Sequence, residues 1–351
     1  GAVAGSLGAL GAIGVYMAGS ILINKVLGPK VPKFGETAAA KQVYSLSSQR
    51  NSARAYEPIG TLWGEMRITP DLASQPYTWY EGDDQYLSTI LLGGVNVHSV
   101  SDLSIGDTPI TSYQDVSVYY NGFAGMQSQS LPLYSNADSL AGGELENNGA
   151  WVTRTSSAGG IALQVDIEGQ LFDVGNKGDI LVNTVPLFIE SRPVGGAWAP
   201  AHSETLSNAS TAVLRRTITL PVAAGQHEVR VRLGQPLYND GDGKDTCKLA
   251  WTVLKSIQAD TTDYTSFGRI GIKIKATGQF SGSVDTLHAT YRAKPMPIWT
   301  GTAWATATTR ENGLSNPGAI ILQTLRGVKH NGKLQFGFGL ADEDIDIEGL
   351  K

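Results

Sequence analysis

Two pairs of carboxylates and one acidic turn are where this sequence could do chemistry. Asp83 and Asp84 are adjacent in "EGDDQYL", so along an extended run their side chains diverge to opposite faces. Asp166 and Glu168 in "GGIALQVDIEGQLF" stand two residues apart, which in a strand puts both on one face, where a carboxylate pair could meet a sugar. The stretch "NDGDGKDTC" offers Asp240 and Asp242 as positions one and three of a calcium loop. Lys244 then falls at position five and Asp245 where the turn glycine belongs. An ammonium there opposes a cation, so a hairpin tip is the better reading.

The other reactive types are scattered. His98, His202, His227, His288 and His330 have no partner at metal-ligand spacing, and no nucleophile elbow or phosphate loop occurs. Cys247 lies alone in the strand-like run "CKLAWTVL", which predicts a buried, inert thiol and leaves stability to the core or to neighbouring subunits. Neither a cofactor nor a catalytic set is expected.

The elements that must position these residues are strands. Glycine is abundant, at 42 of 351 residues, and charged residues are sparse at 17%, a mix that suits sheets with tight turns. The net charge of −5 supplies no basic footprint for gripping nucleic acid. Runs such as "YEPIGTLWGEMRI" and "VSDLSIGDTPI" read as strands closed by turns. The region 111–150 is polar and predicts loops, with "NADSLAGGELENNG" too rich in turn formers for a core element. From 150 to 258 apolar residues alternate at sandwich-like spacing, and "TITLPVAAGQHEVRVRL" predicts a hairpin with Val229, Val231 and Leu233 inward and Arg230 and Arg232 outward. Ile270, Ile272 and Ile274 share one face opposite Lys273 and Lys275. Asn316 and Pro317 start a helix with Ile320, Ile321, Leu325 and Val328 as its stripe, and the acidic tail "DEDIDIEGLK" predicts the start of another.

The head "GAVAGSLGALGAIGVYMAGSILIN" is uncharged and holds six glycines. As a helix it would reach about 36 Å, against roughly 30 Å of hydrocarbon core. Glycine weakens a helix in water but lets backbones approach closely. Three readings stay open: a membrane anchor, a segment packed against copies or partners, and a membrane-active segment sheltered until a trigger. Gly5, Gly8, Gly11, Gly14, Tyr16 and Gly19 carry all three. "NKVLGPKVPKF" then makes an extended linker.

Several boxes in order carry a likeness. The run "NSARAYEPIGTLWGEMRITPDLASQPYTWYEGDDQYLSTILLGGVNVHSVSDLSIGDTPI" resembles the opening of the tail tip (host-specificity) proteins of lambda-type long-tailed phages. So do "GRIGIKIKATGQFSGSVDTLHATYRA", "PIWTGTAW", "SNPGAIILQTLRG" and "DEDIDIEGLK". The middle is similar in pattern, through "HEVRVRL". The likeness implies a mainly β chain of β-barrel or β-sandwich hub domains with few short helices. Its divisions would be 1–32, the apolar segment and linker; 33–125, the hub domain's first part; 126–258, an inserted β-sandwich; and 259–351, the hub's continuation with a C-terminal helix.

The same likeness implies a homotrimer at the virion tail tip, below the distal tail and tape-measure proteins and beside other tip subunits and the central fibre. It would close the tube and gate genome ejection into the host. Phage DNA would contact it in transit only, and a host outer-membrane receptor would be met by regions absent from this chain. Residues 1–24 would pack near the axis or contact the host membrane. Asp83, Asp84, Gln85, Tyr86 and Leu87 are then expected to pack between subunits or modules. The rival readings are a carbohydrate-binding surface sandwich with Trp151, Trp198, Trp299 and Trp304 as platforms, and a tail-borne cell-wall hydrolase using Asp166 and Glu168.

Overall fold

Strands dominate the chain because apolar residues recur at every second position and Gly-Asp turns interrupt them. The computed structural model describes residues 43–350, apart from 47, 55, 56, 238–243, 262, 263, 265, 266, 281 and 331. Residues 1–24, with Gly5, Gly8, Gly11, Gly14, Tyr16 and Gly19, therefore lie outside the described residues, as do Asp240 and Asp242.

The first lobe begins with β1 (Ser48–Gln49), β2 (Glu65–Ile68), β3 (Tyr77–Glu81), β4 (Asp84–Leu92), β5 (Val97–Ile105), β6 (Thr108–Pro109) and β7 (Val116–Asn121). The second holds β8 (Ala137–Glu144), β9 (Val152–Thr155), β10 (Gly160–Val174), β11 (Ile180–Leu181), β12 (Asn183–Pro193), β13 (Ala199–Asn208), β14 (Leu214–Gly225), β15 (His227–Leu233) and β16 (Thr246–Gln258). The chain then returns to the first lobe with β17 (Arg269–Lys275), β18 (Ser283–Val284) and β19 (Leu287–Ala293). It ends with β20 (Met296–Trp299), β21 (Trp304–Ala307), α1 (Pro317–Arg326), β22 (Val328–His330) and β23 (Lys333–Phe336).

In the first lobe the sheet β3-β4-β17-β7 faces the sheet β2-β19-β5-β6. Ile270, Ile272 and Ile274 of β17 are fully buried between them with Leu87, Leu91, Leu287 and Tyr291. Two of its hairpins share one device. Glu81 pairs with Asp84 and Ile105 with Thr108, so each loop is a two-residue Gly-Asp turn, with Gly82 at φ +60° and Gly106 at φ +56°. Glycine at the first central position suits a hairpin turn whose twist matches its strands.

The second lobe is a sandwich. One sheet runs β11-β10-β16-β8 with β14 also on β10, and the other runs β13-β12-β15-β9. Leu163, Val165 and Ile167 from one sheet meet Leu187, Ile189, Val229 and Val231 from the other around Trp251. Alternation alone places Val229, Val231 and Leu233 inside at 0% exposure.

Several local expectations are corrected. Residues 214–233 do not form a hairpin: β14 pairs with β10, whereas β15 pairs with β12 and β9 in the facing sheet. Two runs with clean alternation can equally cross between sheets, and pairing partners elsewhere decide which. The region 111–150 is not all loop, since β7 joins β17 and β8 joins β16. Glycine explains β8: a Cβ on Gly142 would fall 2.1 Å from the Trp251 carbonyl oxygen, so its bareness permits that strand to lie there. The acidic tail forms two short 3₁₀ turns, at Asp342–Asp344 and Glu348–Leu350, and Arg326 holds Asp342 there. In α1 the Asn316 side chain accepts from the Ala319 N–H at 3.1 Å, but the buried residues are Ala319 and Leu322 while Ile321 is 49% exposed. Its small core, with Met296, Ala307 and Leu314, takes Ile320 from the expected stripe at its margin and leaves Ile321 out, while Val328 lies in β22.

Two outcomes test this packing. Trp251→Ala should cost about 3–5 kcal/mol in urea unfolding, because a fully buried ring leaves a cavity both sheets must bridge. Burial also holds the Tyr291 hydroxyl, which donates to the Leu92 carbonyl at 3.1 Å, well above the ordinary tyrosine range. The unfolded chain releases that proton near pH 10 and the native state keeps it, so this contribution is complete below pH 10 and falls as pH climbs further. Tyr291→Phe should flatten the decline of the urea midpoint above pH 10.

Candidate functional site, a polar junction between two lobes

A strand with one apolar and one polar face needs a partner for each. Leu163, Val165 and Ile167 of β10 turn into the sandwich, so Gln164, Asp166 and Glu168 turn outward. Strand register sets Thr219, Thr217 and Arg215 of β14 opposite these three, and Lys255 of β16 opposite Gln164. This polar face is nevertheless buried. Exposure is 4% at Gln164, 3% at Asp166, 7% at Glu168, 6% at Arg215 and 1% at Lys255.

What covers it is β3, an edge strand of the first lobe. An edge strand leaves one row of backbone groups without a ladder partner. Here side chains of the second lobe take that place. The Lys255 ammonium donates to the Thr78 carbonyl and pairs with Asp166. The Tyr80 N–H donates to Thr217 Oγ1 at 2.8 Å, and the Thr217 hydroxyl donates on to Asp166 Oδ1 at 2.7 Å. The Tyr77 hydroxyl donates to Gln164 Oε1, and the Tyr80 hydroxyl to Glu168 Oε2 at 3.0 Å. Arg215 pairs with Glu168 at 3.2 Å, lies over the Tyr80 ring and reaches the Tyr44 carbonyl at 2.7 Å.

Burial and pairing compete at these groups. Complete burial pulls the Lys255 ammonium below the ordinary lysine range, and the Asp166 charge works against that. Burial, with help from the Asp166 charge, pushes the Tyr77 hydroxyl well up, so it stays a donor.

The structure spreads the "DDQYL" box over several partners. Asp83, in the Gly-Asp turn, accepts from the Arg215 N–H at 3.3 Å and faces Arg216 at 3.7 Å, both in the second lobe. Asp84 pairs with Lys275 at 2.9 Å. Gln85 Oε1 accepts from the Leu46 N–H at 2.6 Å. Tyr86 stacks on Trp79 beneath Lys273, and Leu87 is buried in the first core. Adjacent carboxylates do diverge, to different lobes.

Both rival sites change character. Asp166 and Glu168 share a face as the spacing requires, but that face is covered by β3 and each carboxylate is held by a cation, so neither meets a sugar. Of the four candidate tryptophans, Trp198 lies between Arg192 and Arg230, both at 4.3 Å, and Trp151 between Arg230 at 4.5 Å and Arg232 at 4.8 Å. Guanidinium groups occupy the ring faces a sugar would use. Trp299 and Trp304 meet edge-on at 5.7 Å. Half-burial raises the Cys247 thiol to about 11, the opposite of an activated thiolate. Among the described residues no group of three His, Cys, Asp or Glu could hold a metal ion, and no helix is long and apolar enough to cross a membrane.

Sequence reasoning missed Lys255, Arg215, Tyr77 and Tyr80. One signal was present: Lys255 interrupts the apolar run "WTVLKSI" on the face opposite Leu254.

Comparison with known proteins bears on the sandwich. Residues 135–260, from just before β8 to just after β16, match the family model for the FNIII-A domain of tip attachment protein J. The match supports a structural role in a phage tail tip. It falls on the middle segment, where the sequence likeness rested on little more than "HEVRVRL". No curated protein matches the chain. Among solved structures, the infectious bursal disease virus VP2 subviral particle aligns at 13% identity over 68% of this chain and 58% of that one, with a TM-score of 0.19. T=1 particles derived from the same virus align at 12% identity over 76% and 68%, with a TM-score of 0.20. Scores this low carry no argument about the fold, and the chain spans little over half of the first of these proteins.

Removing one partner of the buried pair should be far worse than removing both. Asp166→Ala strands the Lys255 ammonium and should cost about 3–5 kcal/mol in urea unfolding, whereas Asp166→Leu with Lys255→Met should recover most of that loss. Equal, small losses in both would show that the pair carries no charge worth compensating.

Proposed function

We propose that this chain is the hub portion of a phage tail tip protein, present in three copies around the tail axis, closing the tube and gating genome ejection after adsorption. The observation that carries the reading is the FNIII-A match over the nine strands β8–β16, a sandwich inserted between two halves of another sheet lobe. The resemblance of the flanking boxes, "DDQYL" and "IGDTPI" among them, points to the same protein class.

In this reading the chain sits beneath the distal tail and tape-measure proteins, next to other tip subunits and the central fibre. A net charge of −5 suits a conduit, since lysine and arginine contacts to phosphate would hold the passing DNA. Residues 1–24 would be hidden among subunits or released toward the host membrane when the tip opens. Asp83 would serve as a packing residue between modules, through Arg215 and Arg216, and the rest of its box would shape the lobe that presents it.

The copy number tests this. Light scattering on the purified chain should give the mass of a trimer, and imaging of virions should place the chain at the tail tip. A stable monomer or a hexamer overturns the hub assignment.

A further inference from the structure

We propose that the junction between the two lobes is a releasable joint, built so that it can open without leaving a buried charge unpaired. It rests on how the contacts divide. Both deep ion pairs are internal to the second lobe: Lys255 with Asp166, on neighbouring strands β16 and β10, and Arg215 with Glu168, on β14 and β10. What those groups give to the first lobe is hydrogen bonds to uncharged partners. Lys255 reaches the Thr78 carbonyl, Arg215 the Tyr44 carbonyl, and Glu168 accepts from the Tyr80 hydroxyl. The Tyr80 N–H to Thr217, the Tyr77 hydroxyl to Gln164 and the Arg215 N–H to Asp83 also cross. Among the described residues one ion pair crosses the joint, Asp83 with Arg216 at 3.7 Å, and both its side chains are about a third exposed.

The physical consequence follows from the cost of stranding charge. Breaking a buried ion pair is strongly unfavourable, whereas exchanging a hydrogen bond with water has a small net effect once both groups are wetted. If the deep pairs crossed the joint, separation would strand four ions. As arranged, each ion leaves with its counter-ion, and Thr78, Tyr80, Gln164 and Thr217 return to water, which satisfies them. An apolar seam of the same extent would resist opening in proportion to its area. A polar seam fixes one closed geometry and still lets go. Opening would also bare the edge of β3, whose Thr78 carbonyl and Tyr80 N–H the second lobe now caps.

The Tyr80 amide reports on the joint directly, because its proton is donated across it. Hydrogen exchange on the full chain should show Tyr80 exchanging faster than the core amides of Leu187, Ile189, Val229 and Val231. The triple variant Tyr77→Phe, Tyr80→Phe and Asp83→Ala removes contacts that cross the joint and leaves both deep pairs in place. It should speed Tyr80 exchange about tenfold further, with the four core amides unchanged, and small-angle scattering should give a larger radius of gyration. Tyr80 protected as strongly as the core in the unaltered protein would overturn the proposal. So would a triple variant in which all five amides accelerate together, since that is global destabilisation, or in which none does. The readout concerns two lobes of one chain, so it stands or falls separately from the copy number.

Discussion

Everything at the centre of this molecule depends on the burial of one ammonium group. Lys255 is 1% exposed, and a lysine can be so placed only where acceptors surround it. Asp166 supplies the counter-charge from the neighbouring strand and the Thr78 carbonyl supplies an acceptor from the other lobe. That requirement links the lobes: the polar face of β10, β14 and β16 can lose its water only if β3 lies across it in one register. The edge of β3 has the complementary need. The Thr78 carbonyl and the Tyr80 N–H meet the Lys255 and Thr217 side chains, so each surface meets the other's need.

The remaining architecture follows from alternation. Two cores form because apolar residues at every second position fill the space between paired sheets, in each lobe separately. Among the described residues, the contacts at the junction are charged groups, hydroxyls and backbone, with the Tyr77 and Tyr80 rings beneath Lys255 and Arg215. Inter-domain contacts of this polar kind set an orientation more than they add stability. The cation–π ladder of Arg192, Trp198, Arg230, Trp151 and Arg232 does for the outer sheet of the second lobe what β3 does for the other. It covers flat aromatic surface with guanidinium planes, and Glu190 and Glu228 hold two of those arginines in place.

For a tail tip component, such a division of labour has a mechanical meaning. Two sheet lobes with separate cores meet at a polar seam that fixes their relative position. The FNIII-A-like sandwich thus sits on the first lobe as an oriented attachment. Its buried acids, which by spacing alone invited a catalytic reading, are joint components.

Outside 111–150, the amino-acid sequence by itself determined most of the strands, their apolar faces and the tight turns, because these depend on neighbours two to four residues apart. Ile270, Ile272 and Ile274, the two Gly-Asp hairpins and the Asn316 cap are all local matters. Tertiary structure alone decided the partners. It sent β14 and β15 to different sheets, drew the glycine-rich 137–144 stretch into β8 against Trp251, and turned Asp166 and Glu168 from an open face into a covered one. Those outcomes depend on residues some 35 to 180 positions apart, from Pro193 with His227 to Lys255 with Thr78. A polar face looks the same in sequence whether water or another lobe lies against it, and only the satisfied hydrogen bonds tell the two apart.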